Sequence, residues 1–189
     1  MPTEQQLQVL LDKQEIYELL CRYCRGCDRL DKELILSCFH PGAIDVHVGR
    51  TAGVHYGTIE EFLEKEFEGW KRFEGSQHHI MNHLCEVDGD VALAETYQFS
   101  FYWALPGDDP SVNLTNSNRY IDRFERREDR VWRIARREFY RNFTRRETRP
   151  FVFPTAENGW PRGSQDRNDP AYRTLKASAV AASTHRPPA

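Results

Sequence analysis

The spacing of apolar residues changes near Ser76 from mainly helical to strand-like, and that change restricts the chain to folds with a mainly helical first part and a sheet after. Before it, Leu7, Leu10, Leu11, Ile16, Leu19, Leu20, Tyr23, Cys24 and Cys27 recur at intervals of three and four. That is the period of a helix running from Glu4 to Cys27. DKELILSCF predicts a second, short helix with Asp31 as its N-cap and Glu33 in its first turn, broken by HPGA. AIDVHV alternates Ile44, Val46 and Val48 against Asp45 and His47, a strand pattern. TIEEFLEKEFEGWKRF opens on Thr58 and repeats Ile59, Phe62, Phe67 and Trp70, which predicts a third helix ending at Gly75.

From Ser76 onward the period is two. SQHHIMNHLCEV and VALAETYQFSFYWAL flank a tight DGD turn at Asp88, Gly89 and Asp90 and read as a hairpin. After the PGDDPS loop, NLTNSNRYIDRFERR and VWRIARREFYRNF give two more long strands around EDR. Four consecutive antiparallel strands behind a helical N-terminal third predict an α+β fold, with the helices packed on one face of a curved sheet. A chain of 189 residues suits one such domain, over residues 1–149. From Pro150 to Ala189 the chain holds six of its ten prolines and little periodicity, and reads as an extended tail. Its Phe151, Phe153, Trp160 and Tyr172 are expected to pack on the domain or on a neighbouring subunit, and its last residues to be disordered.

No apolar run approaches the roughly 20 residues of a membrane span, and the N-terminus lacks the signature of a secretory signal. A cytoplasmic protein with no membrane partner is expected, its five cysteines being reduced thiols. Residues 119–149 hold twelve arginines against six acidic residues, which raises nucleic-acid binding. Asp122, Glu125, Glu128, Asp129 and Glu138 interleave with those arginines, however, as on a solvated strand face bearing ion pairs. No nucleic-acid partner is expected.

CRYCRGCDRLD, residues 21–31, spaces three cysteines as iron-sulfur ligands are spaced. No fourth cysteine follows at short range, and Cys24 and Cys27 continue the apolar stripe of Ile16, Leu20 and Tyr23, so they read as buried core thiols. Asp28 lies just past that stripe, at a helix C-terminus, where the carbonyl ends repel an anion. A histidine is its natural partner, and QHHIMNH supplies His78, His79 and His83. On a strand, His79 and His83 would lie about 13 Å apart, too far to share one metal ion. Strand alternation would put His78, Ile80 and Asn82 on one face and His79, Met81 and His83 on the other.

LLCRYCRGCDRLDKELILSCFHPGA, SQHHIMN with VDGDVALAETY, and NRYIDRFERREDRVWRIARRE occur in this order over residues 8 to 145. Together they resemble the SnoaL-like branch of the nuclear transport factor 2-like superfamily. The resemblance implies a cone-shaped α+β barrel: a strongly bent antiparallel sheet around three N-terminal helices, with a deep apolar pocket at the wide end. It also implies a homodimer or homotrimer. The fold hosts dehydratases, dehydrochlorinases and polyketide cyclases that use no metal or organic cofactor, and it serves as a structural subunit of ring-hydroxylating dioxygenases. By resemblance, Asp28 and His78 form the catalytic pair, with Tyr23 and Arg137 assisting. Cys27 and Tyr97 depart from the scytalone dehydratase pattern, which has a tyrosine and a histidine there.

The implied function is a lyase, removing water or formaldehyde from a hydroxylated aromatic or polycyclic molecule; an isomerase, a cyclase or a non-catalytic subunit are the alternatives. In the lyase, His78 would act as base, Tyr23 or Tyr97 would protonate the departing oxygen, and Arg137 would hold a developing negative charge. Tyr97, Phe99, Phe101 and Trp103 share one face of a strand, and Trp70 closes the third helix. Tyr97, Phe101, Trp103, Trp70 and Asn82 are therefore expected to contact a flat substrate.

Overall fold

The computed structural model describes residues 1–48, 54–104, 113–147 and 163–172. Three helices come first: α1 (Glu4–Asp28), α2 (Lys32–Ser37) and, after two strands, α3 (Ile59–Trp70). Thr3 and Gln6 close a capping box on α1, and Thr58 and Glu61 close one on α3. Such caps satisfy backbone N–H groups that the first helical turn leaves unpaired, each contributing about 1 kcal/mol. Asp31 caps α2 through the Leu34 amide, as its position predicts. Gly26 lets α2 approach, because a Cβ there would meet Ile35 Cγ1 at 2.7 Å. The third helix stops at Trp70 rather than Gly75, since the strand pattern already begins at Phe73.

The strands are β1 (Phe39–Val48), β2 (Val54–Thr58), β3 (Phe73–Asp88), β4 (Val91–Ala104), β5 (Asn113–Arg126) and β6 (Trp132–Glu147). They form one six-stranded sheet in the order β2-β1-β6-β5-β4-β3. The sheet curls without closing. The long hairpins are antiparallel, but β1 lies parallel to β6, with a register shift between Phe39 and Ile44. HPGA therefore lies within β1 as an irregularity rather than ahead of it. At the β3–β4 turn Gly89 adopts φ 59°, a conformation that favours glycine. Ile16, Leu19 and Leu20 of α1, Phe62 and Leu63 of α3, and Phe124, Trp132 and Ile134 of the sheet form the core. No described helix is long and apolar enough to cross a membrane.

A second shift, between Ile80 and His83, sets two residues of β3, Met81 and Asn82, against Tyr97 alone on β4. This bulge inverts the alternation expected beyond Ile80. Asn82 is exposed, and His83 turns inward instead, its Nδ1 within 2.8 Å of Thr96 Oγ1.

Residues 163–172 fold back onto the α1–α2 corner. The tail aromatics Phe151, Phe153 and Trp160 and the chain end lie outside the described residues. Arg167 reaches Asp31 at 2.9 Å and Glu33 at 2.8 Å, the Tyr172 hydroxyl donates to Asp31 at 2.9 Å, and Arg29 pairs with Asp169 at 3.1 Å. Burial pushes both aspartates up, but the donors around them win, so the carboxyls of Asp31 and Asp169 stand below the ordinary range. A folded-state value below the unfolded one gives stability that is complete above about pH 4 and lost as pH falls through the lowered values. Hydrogen exchange at pH 3 is thus expected to show residues 163–172 released while β5 and β6 stay protected. Equal protection of this segment at pH 3 and pH 7 would contradict the assignment.

Candidate active site

α1 delivers Asp28 to the edge of the sheet, and β3 runs past it with Ser76 and His78. The Nδ1–H of His78 donates to Asp28 Oδ1 at 2.6 Å, the backbone N–H of His78 donates to Oδ2 at 3.1 Å, and the Ser76 hydroxyl donates to Oδ1 at 3.2 Å. Three donors from one strand thus compensate a carboxylate at an unfavourable helix end. The same contact fixes the imidazole, with the Nδ1 proton toward Asp28 and Nε2 turned away. The Tyr102 hydroxyl lies 3.0 Å from Nε2 and donates to it in this tautomer. Burial pushes Tyr102 above its ordinary range, so its proton stays on at neutral pH.

Nε2 and Tyr102 open on a cavity of about 410 Å³, a size that suits a small organic molecule. Tyr23, Phe62, Trp70, Phe73, Tyr120 and Phe139 supply its aromatic walls. Its other wall is polar, an arrangement the aromatic count did not foretell. Asn118 donates to Gln98, Arg141 Nε donates to Asn118 at 3.2 Å, and Thr144 donates to Asn116 at 2.8 Å. These cross-strand pairs place a fixed row of amides along the lining, beside the guanidinium groups of Arg141 and Arg146. Among the described residues no carboxylate forms an ion pair with Arg141.

His78, Tyr23 and Trp70 line one cavity, and Asp28 stands behind His78. Five other expected residues point elsewhere. Tyr97, Phe101 and Trp103 occupy the outer face of β4, Tyr97 being 40% exposed, while Gln98, Ser100 and Tyr102 occupy the inner one. The aromatic run faces away from the cavity, since a strand pattern fixes alternation but not which parity faces inward. Asn82 leaves the site through the β3 bulge. Arg137 does not line the cavity either. Its Nε and Nη2 each lie 2.7 Å from an Asp122 oxygen, and its guanidinium is fully buried between the Tyr23 and Tyr120 rings, 4.3 and 4.0 Å away. Arg141, four residues on, reaches the cavity instead, as does Arg146. Cys24 and Cys27 are buried and Cys21 is exposed, all on α1; burial raises the Cys27 thiol, which suits packing rather than nucleophilic work.

The SnoaL-like domain matches residues 8–138, most of the chain and all three of the motifs quoted above. The chain belongs to the SnoaL-like domain family. No curated protein matches this SnoaL-like chain in sequence. Solved structures share its fold. The hexachlorocyclohexane dehydrochlorinase LinA-type3 of Novosphingobium barchaimii superposes with a TM-score of 0.64 at 18% identity, covering 78% of this chain and 99% of that one. A candidate scytalone dehydratase from Novosphingobium aromaticivorans gives 0.61 at 18%, covering 77% and 97%. A cystatin-like fold protein from Nostoc punctiforme gives 0.55 at 25%, covering 70% and 92%.

Proposed function

We propose that this SnoaL-like protein is a cofactor-independent lyase that removes water or formaldehyde from a hydroxylated aromatic or polycyclic molecule. The observation that carries this reading is the chain Asp28–His78–Tyr102 ending on an aromatic-walled cavity. Asp28 holds the imidazole in one tautomer, which leaves Nε2 to act as the base. A bound substrate presents its acidic C–H, or the hydroxyl to be converted to a carbonyl, to Nε2. The aromatic walls select a flat body, and the amide row with Arg141 receives oxygen atoms that gain negative charge as the bond breaks. Tyr102 is displaced from Nε2 or hands on its own proton. The fold neighbours named for dehydrochlorination and dehydration support the same class of bond breaking.

The test is turnover of a set of β-hydroxy aryl ketones by the full chain, followed by chromatography. Loss of water gives an aryl vinyl ketone, and loss of formaldehyde gives an aryl methyl ketone. Either product, formed catalytically, supports the proposal. Tight binding throughout the set with no product would instead mark the cavity as a carrier site.

A further inference from the structure

β1 brings a second histidine to the same cavity, with a buried aspartate beside it. Asp45 and His47 stand two residues apart on the inner face of β1, and His47 lines the cavity together with His78. Its ring is clamped between Phe62 and Phe139, with centroids 4.2 and 4.0 Å away and interplanar angles of 25° and 12°. His47 Nδ1 lies 3.2 Å from Asp45 Oδ1, so Nε2 is the nitrogen turned away from the carboxylate.

Asp45 is fully buried, and neither of its oxygens accepts a hydrogen bond. An ionised carboxylate in that position costs several kcal/mol unless a cation stands beside it. Arg137 is its Cα partner across β6, but that guanidinium is bidentate to Asp122 and forms no ion pair with Asp45. Asp122 and Arg137 already neutralise one another. Glu66, another buried acid on the cavity, has a partner of its own. The group in ion-pair contact with Asp45 is His47, and a proton on its ring would balance the charge of the carboxylate. Nothing in the fold requires this pair, since two apolar residues on the inner face of β1 would pack at lower cost.

We propose that His47, held between Phe62 and Phe139 with Asp45 as its counterion, is a second catalytic group that donates a proton to the departing oxygen while His78 acts as base. This rests on the lyase reading above. In the dehydration, His78 Nε2 takes the proton from the substrate carbon and the C–H electrons become the new double bond. The C–O bond breaks, and its oxygen takes the Nε2 proton of His47 and leaves as water. His78 then returns its proton to His47 through solvent once product has left.

The pair is tested first without substrate. Ring nitrogen spectra of histidine-labelled full chain at pH 7 are expected to show both nitrogens of His47 protonated in the wild type and one in Asp45→Asn. His47 is assigned by His47→Gln or, if that variant does not fold, by its contacts to the Phe62 and Phe139 rings. A neutral His47 ring, unchanged by Asp45→Asn, overturns the proposal. With a β-hydroxy aryl ketone that is turned over, His47→Gln is expected to lower kcat about 100-fold while exchange of the substrate C–H for deuterium continues, whereas His78→Ala stops both. Unchanged kcat in His47→Gln, or loss of exchange with it, removes the acid role and leaves the lyase reading standing. If no ketone is turned over, the lyase reading fails, and the ring spectra alone decide whether the charged pair exists.

Discussion

His78→Ala is expected to lower kcat by about 10²- to 10⁴-fold on any β-hydroxy aryl ketone the protein turns over, the range a positioned proton-transfer group contributes. Folding should change little. His78 forms its hydrogen bonds at the rim between α1 and β3, and the Ser76 hydroxyl and the strand amide at position 78 would still bind Asp28. Asp28→Asn should fall in the same direction for a different reason. The amide can no longer accept on both sides as the carboxylate does, and it leaves the tautomer of His78 unfixed. Steady-state kinetics paired with thermal melts separate these effects from unfolding. A His78→Ala enzyme with most of its rate and a normal melting temperature would falsify the base assignment.

The largest effect on stability is expected from Asp122→Ala. Asp122 and Arg137 are both fully buried and joined by two 2.7 Å hydrogen bonds. The Asp122 carboxylate more than offsets the burial that opposes charge on Arg137, whose guanidinium is held well above its ordinary value. Removing the acid leaves that charge among Tyr23, Phe39 and Tyr120 without its counterion. Breaking a buried pair in this way costs about 3–5 kcal/mol, whereas replacing both partners with apolar residues of similar volume is often close to neutral. Urea denaturation is therefore expected to show Asp122→Ala far below the wild type and Asp122→Leu combined with Arg137→Met well above the single variant. Asp122→Ala unfolding within about 1 kcal/mol of the wild type would show that the pair does not hold the β5–β6 inner face together.

Several of these residues are legible in the chain itself. Asp28 stands where the apolar stripe of α1 runs out, and an anion at a helix C-terminus calls for donors from elsewhere; β3 provides three. Trp70, at the end of a helical repeat, falls on the cavity as the repeat implies. Tyr102 was missed, although its parity matches that of Ser100 and Gln98, because four aromatic residues of opposite parity dominate the stretch YQFSFYW. Their number suggested a binding face. The cavity instead takes the polar parity, since the amides of Gln98, Asn116 and Asn118 have cross-strand partners that allow them to be buried. The Met81–Asn82 bulge left no mark in the sequence, and it is the reason Asn82 and His83 exchanged sides.

Arg137 shows the same limit for charge. Twelve arginines interleaved with acids read correctly as ion-pair partners, yet nothing in their order says which one is sealed in the core and which reaches the cavity. That depends on the curl of β6. Local periodicity determined the three helices and the long hairpins, because helix and strand periods are properties of neighbours along the chain, while the choice of His78 as the partner of Asp28 is what the family resemblance implies. Only the tertiary structure decided which strand parity faces inward, that Arg141 rather than Arg137 meets the cavity, and that Asp45 and His47 stand beside the first pair. Those outcomes depend on how the sheet bends around α1 and on which buried charges find counterions across strands far apart in sequence.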